Sequence, residues 1–198
     1  MKEFEAKTTY FQEPGPANTE KTLALANQRA KDLGIATALV ASTTGDTAKL
    51  AVEKLDGFKE IIIVTHVCGF TEPDVQEFPD DIRAFVEGKG AKVLTAQHAM
   101  GGLNRAVRQS MNTYQINEII ANTLRIFGQG MKVILEMSMM AADAGLVSTR
   151  KPVIAIAGTH RGADYVAVVK PANSFRFFNL EILEWVCCLS KSHPAFNM

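Results

Sequence analysis

The stretch Ile35-Ala36-Thr37-Ala38-Leu39-Val40-Ala41-Ser42-Thr43-Thr44-Gly45-Asp46-Thr47-Ala48 decides the fold. Residues 35–41 form an apolar run with a single hydroxyl, so they read as a strand covered on both faces. Ser42 to Asp46 is a small polar loop. From Thr47 to Leu55, the residues Ala48, Ala51, Val52 and Leu55 recur at helical spacing. Strand, polar loop and helix in that order are the opening of a β-α-β unit.

The pattern repeats along the chain. Glu60-Ile61-Ile62-Ile63-Val64, Lys92 to Thr95, Val153 to Ala157 and Tyr165 to Val169 read as further strands. Helices are expected from Asn18 or Thr19 to Leu33, closed by Gly34, and at 78–87, 103–111 and 116–127. Residues 130–145, with Met131, Met137, Met139 and Met140, read as a buried helix closed by Gly145. Phe178 to Cys188 reads as a terminal helix. Residues 1–17, with Pro14-Gly15-Pro16, form an N-terminal arm. The short link before Tyr165 makes that strand antiparallel to its predecessor. The expected architecture is one α/β domain over residues 1–198: a three-layer sandwich whose mostly parallel sheet carries an antiparallel edge strand.

Composition narrows the function. Of 198 residues, 47% are hydrophobic and 21% charged, with 21 basic against 21 acidic side chains. That balance leaves no basic surplus for nucleic acid or an anionic membrane surface. No apolar run is long enough to span a bilayer, and the N-terminus lacks a signal-peptide core. Three cysteines, two of them the adjacent Cys187 and Cys188, are not a disulfide framework and fit a reducing compartment. A cytoplasmic protein is expected. The apolar tail residues Trp185, Val186, Leu189 and Phe196 suggest a homo-oligomer.

Ligands of open α/β sheets bind beyond the carboxyl ends of the strands. Four loops fall there: Ser42–Asp46, Thr65–Phe70, Gln97–Gly102 and Gly158–Asp164. All are rich in Gly, Thr, Ser or His, and three of the four histidines lie in them. The opposite edge carries plain connectors, so one cleft is expected at one edge. Ser42, Thr43, Thr44, Gly45 and Thr47 suit a phosphate at a helix N-terminus; capping alone accounts for two residues of this segment. In the last loop, Gly158 and Gly162 allow close backbone approach, Arg161 pairs with a phosphate or carboxylate, and Asp164 accepts from a ribityl or sugar hydroxyl or orients a histidine, with Thr159 beside them in the candidate set; a plain hairpin with a surface Arg is the simpler alternative. Thr65, His66, Gly69, His98 and Gly101 complete the candidate ligand-binding set. His66, His98 and His160 are the candidates for acid–base work. No His-x-His, Cys-x-x-Cys or His-Glu-x-x-His spacing occurs, so no metal site is expected. Glu136 and Asp143 matter only if they face inward; Arg105 and Arg108 are anion ligands or a solvated face.

The motifs resemble a known family. The 35–48 stretch is similar to the strand–loop–helix of the pyruvate kinase C-terminal α/β domain, in which a Ser/Thr-Gly-x-Ser/Thr-Ala loop holds the phosphate of a sugar-phosphate effector. Pro14–Thr19, Thr65–Phe70, Thr123–Gly130, Met140–Leu146 and Gly158–Asp164 extend the resemblance over nearly the whole chain, to stand-alone proteins of this type. Asp46 departs from the effector loop, between Gly45 and Thr47. The resemblance implies a pyruvate kinase C-terminal fold without the barrel where phosphoryl transfer occurs, and hence not a pyruvate kinase. It also implies flavin mononucleotide (FMN) as cofactor, with its phosphate on Thr43–Thr47 and its ring over the His66 and His98 loops.

Three functions are therefore expected in competition. The first is a module binding a small phosphorylated ligand, FMN foremost. The second is an enzyme using a histidine acid–base on a small phosphorylated or carboxylated metabolite. The third is a structural subunit with a vestigial cleft.

Overall fold

The computed structural model describes residues 3–196. Its seven strands are β1 (Thr9–Phe11), β2 (Thr37–Ala41), β3 (Glu60–Val64), β4 (Lys92–Leu94), β5 (Val153–Ala157), β6 (Tyr165–Lys170) and β7 (Glu181–Leu189). They form one sheet in the order β1-β7-β6-β5-β2-β3-β4. Six run the same way; β6 alone is reversed, antiparallel to β5 and β7. The reversed strand is as the short link requires. It lies inside the sheet rather than at an edge, because another strand follows it.

That strand is β7, where the apolar spacing of 178–188 reads as helix. Ile182, Trp185 and Val186 favour extended backbone; β7 pairs with β6 from Glu181 to Cys187 and, on its other edge, with β1 at Cys187–Leu189. Two register shifts against β6, between Val166 and Ala167 and between Val168 and Val169, break the strict alternation that marks a strand. The N-terminal arm is not only an arm: Thr9 to Phe11 adds in parallel to Cys187–Leu189. Trp185 and Leu189, partly buried, pack on the protein's own core, Val186 is buried in it, and Phe196 is exposed.

Helices α1 (Thr19–Leu33), α2 (Asp46–Lys54) and α3 (Asp80–Gly88) cover one face of the sheet. Helix α6 (Gln129–Asp143) covers the other, flanked by α5 (Ile116–Leu124), against which α4 (Leu103–Met111) packs. Alternate residues of each central strand feed the two cores: Ala38 and Val40 go to one, Leu39 to the other. The apolar run of 35–41 follows directly from this double burial. Helix α6 enters so close to the sheet that Gly130 lies against Tyr165; a Cβ there would stand 2.3 Å from the ring.

β2 is followed by a crossover to β3 on one side, while β5 lies on its other side. Strand order thus reverses between β2 and β5. The loops leaving these two strands part there and open a crevice, as such reversals do.

Candidate functional site

The crevice is a cavity of about 510 Å³. Its size lies in the range of small-molecule sites, ~300–1,000 Å³. One end is built by the loop after β2. Gly45, at φ 95°, turns the chain into α2. Ser42 Oγ accepts the Ala48 N–H at 3.2 Å and caps the helix. The first N–H groups of α2, those of Asp46 and Thr47, are left free at the opening as at any helix start. Arg161 reaches across from the loop after β5 and donates to Thr44 Oγ1 at 3.0 Å. Thr44 in turn donates to the Asp46 carboxylate at 3.2 Å. Hydroxyls, a helix N-terminus and a guanidinium converge there.

Aromatic and apolar side chains form the wall. The His66 and Phe70 rings lie 4.1 Å apart between centroids, and Phe70 and His98 lie 5.2 Å apart at 25°. The Arg105 guanidinium sits 4.6 Å over Phe70. Val133, Met137 and Met140 of α6 complete the apolar surface. His66 Nδ1 donates to Glu77 Oε2 at 2.8 Å.

The floor carries a buried ion pair, Lys132 with Glu136, one helical turn apart. Glu136 Oε1 also accepts the Met100 N–H at 2.9 Å. Glu136 therefore faces inward, whereas Asp143 is exposed and accepts the Ser174 N–H. Burial lowers the Lys132 ammonium from its usual range, opposed by Glu136. Burial likewise pushes the His98 imidazole down to about 4, against the pull of Glu136. His98 is thus neutral near pH 7, with Nε2 accepting the Val67 N–H at 3.4 Å.

A side cavity of about 250 Å³ opens behind this floor and shares Arg105, Arg125, Lys132 and Glu136 with the main one. Gly101 lines the side cavity rather than the main cleft. Arg108 belongs there too, paired with Glu118 at 2.6 Å.

Most of the candidate residues meet in one place. Ser42, Thr43, Thr44, Thr47, Thr65, His66, His98, Gly158, Thr159, His160, Arg161 and Gly162 all line the main cavity. Four others do not. Gly45 supports the loop from behind, against Ile82. Gly69, at φ 79°, shapes its own loop and donates to Val75 O. Gly101 is noted above. Asp164 is fully buried and joins the arm to the loop, accepting from Thr159 Oγ1 at 3.1 Å and the Gly15 N–H at 3.4 Å. Desolvation raises its carboxyl above the usual range. Gly158 and Gly162 are small for each other: a Cβ on Gly158 would lie 2.2 Å from Gly162 O, and one on Gly162 would lie 2.6 Å from Pro16 Cα.

Sequence reading alone missed Glu77, Arg125, Gln129 and Lys132 as parts of the cleft. Lys132 lies on a helix read as core, Gln129 just before the bounds expected for that helix, and Glu77 on a long β3–α3 link. Only the cost of an acidic residue in an apolar helix hinted at Glu136. Among the described residues, no group of three His, Cys, Asp or Glu side chains is placed to hold a metal ion. No helix among them is long and apolar enough to cross a membrane.

Comparison with known proteins gives one family match, to the model of the pyruvate kinase alpha/beta domain, over residues 20–169. Among solved structures, a pyruvate kinase from Cryptosporidium parvum aligns at 17% identity and a TM-score of 0.41, covering 77% of this chain and 22% of that one. A Cryptosporidium parvum pyruvate kinase in complex with ADP aligns at 16% identity and a TM-score of 0.38, covering 77% and 23%. The chain spans less than a quarter of the length of these relatives.

Proposed function

The chain belongs to the pyruvate kinase alpha/beta-domain family, and from that premise we propose that it binds a small phosphorylated ligand, FMN foremost, in the cleft between β2 and β5. The observation that carries this reading is the Thr44–Arg161 contact over the open start of α2. It joins a helix N-terminus, hydroxyls and a guanidinium, three donors that favour a phosphate. Asp46 opposes an anion there, and Arg161 on the neighbouring hydroxyl offsets it.

The other end of the cleft suits a flat heteroaromatic ring. Phe70, His66 and His98 offer faces, and Val133, Met137 and Met140 offer apolar contact. Lys132 and Arg105 offer donors at the ring edge. A bound flavin would supply hydride or electron transfer; the chain's own residues would bind its phosphate, orient the ring and exclude water from one face. The reading is of ligand binding, not of a pyruvate kinase.

Two measurements test it. The purified protein is denatured, and released small molecules are identified by absorbance and mass spectrometry. Thermal shifts are then compared for FMN, riboflavin and inorganic phosphate. At a hundredfold excess over Kd a ligand stabilises by about 2.7 kcal/mol, so FMN is expected to raise Tm by about 5 °C or more. Riboflavin, lacking the phosphate, is expected to do little. Thr44→Glu is expected to abolish the FMN shift by adding a carboxylate beside Asp46. Gly45→Val would not serve, because a Cβ there meets Ile82 at 2.6 Å and the variant would fail by misfolding. Equal shifts from riboflavin and FMN, or none from any phosphorylated ligand with nothing released, overturn the reading. The second outcome would favour a vestigial cleft.

A further inference from the structure

Three polar side chains from two loops line up on the cleft rim. Thr43 follows β2, His66 follows β3, and Glu77 lies in the β3–α3 loop. Glu77 Oε2 is 2.8 Å from His66 Nδ1, and His66 Nε2 is 3.4 Å from Thr43 Oγ1. A carboxylate against Nδ1 holds the proton on that nitrogen, so Nε2 presents a lone pair. The group facing that lone pair is a hydroxyl, which must then donate. The order is hydroxyl, imidazole, carboxylate.

The array is also braced. Gln76 Nε2 donates to the His66 carbonyl at 3.1 Å, and Gln76 Oε1 accepts the Phe78 N–H at 3.0 Å. Phe78 is buried in the core, so the segment carrying Glu77 is pinned on both sides. The His66 ring rests on Phe70. Beside Thr43 lies the start of α2, and Thr43, Asp46 and Thr47 line the same cavity.

We propose that Thr43 is a nucleophile activated by His66, that Glu77 is the positioning residue of that imidazole, and that the cleft hydrolyses carboxylic esters carrying an anionic group. In the first step Thr43 Oγ bonds to the ester carbon, and its proton passes to His66 Nε2. The carbonyl oxygen becomes an oxyanion facing the N–H groups at the start of α2. The bond to the leaving alkoxide then breaks, and the alkoxide takes the proton from His66. Water attacks the acyl-Thr43 ester in the same way, returning the hydroxyl and releasing a carboxylate. Arg161 on Thr44 provides the preference for an anionic substrate.

The charged and titratable groups around the imidazole are Glu77, the His98 ring at 5.3 Å, Arg105 over Phe70, and Asp46 and Arg161 through Thr44. His98 is kept neutral by burial and competes little for the proton. This inference does not rest on the flavin reading: absence of FMN leaves it standing, and its failure leaves phosphate binding standing.

The test treats the protein, freed of small molecules, with a fluorophosphonate, which loses fluoride on capture by an activated hydroxyl; the adduct is located by peptide mass spectrometry. A single adduct on Thr43 is expected. Thr43→Ser retains labelling and Thr43→Ala abolishes it. His66→Asn slows it by about 100-fold. Glu77→Gln slows it as well, and Glu77→Asp restores part of the rate. Labelling of neither wild type nor Thr43→Ser overturns the proposal, as does a Thr43 adduct that forms undiminished in His66→Asn.

Discussion

Lys132 and Glu136 form an ion pair buried beneath the cleft, on the helix that fills most of the core on that face of the sheet. The pair is costly in isolation, since two charges lose their water. It is sustained by a second acceptor role of Glu136, toward the Met100 N–H.

Breaking this pair one side at a time should be more harmful than removing it. Glu136→Leu leaves a buried ammonium and a bare Met100 N–H, and is expected to cost about 3–5 kcal/mol. Lys132→Met with Glu136→Gln keeps an acceptor for Met100 and is expected to cost less than either Lys132→Met or Glu136→Leu. Urea denaturation of the three variants measures this.

His98 makes stability depend on mild acid. Burial lowers its folded-state value to about 4 from an ordinary 6.5, so the unfolded chain binds a proton more readily between those values. Its contribution is complete above about pH 6.5 and is lost as pH falls toward about 4. The difference in Tm between wild type and His98→Gln, followed from pH 7.5 to 4, should shrink steadily over that window. A constant difference would show that His98 is not held neutral.

Arg29 ties α1 to the strand that sequence reading took for a helix. Its Nε and Nη2 donate to the two Glu184 oxygens at 2.8 and 2.6 Å, a two-pronged and largely covered contact. Glu184→Gln keeps the shape and loses the charge; Arg29→Met loses both. Expected costs are about 1 and about 2 kcal/mol. In hydrogen exchange, faster exchange should concentrate in β7 and β1 rather than in β2, β3 or β5.

The central sheet was legible because its signal is local. Residues 35–41 and 60–64 must be apolar on both faces, and nothing else explains such runs between polar loops. The cleft was legible for the same reason: its rim comes from loops whose Gly, Thr and His content differs from the opposite edge. β7 was not, because its irregular register against β6 leaves Ile182, Trp185 and Val186 out of strict alternation. Pairing of Thr9 with Cys187 joins segments far apart in the chain, and no local pattern announces it. The floor of the cleft was hidden differently. Helix α6 buries nearly its whole circumference, so cleft-facing Lys132, Met137 and Met140 look like core. Glu77 had no pattern at all; only folding brings it to His66.

That shared helix limits how the cleft can change over evolutionary time. Met131, Ile134 and Leu135 pack the interior within the same turns from which Lys132, Val133, Glu136 and Met137 meet the cavity. A substitution that reshapes the floor disturbs its neighbours in the interior, so innovation there is coupled to a risk of unfolding. The rim carries no such coupling at Thr44, His160 and Arg161, which project from loops and are not part of the core. Descendants of this chain would therefore be expected to diversify in what they recognise by drifting at the rim, while the floor stays as it is.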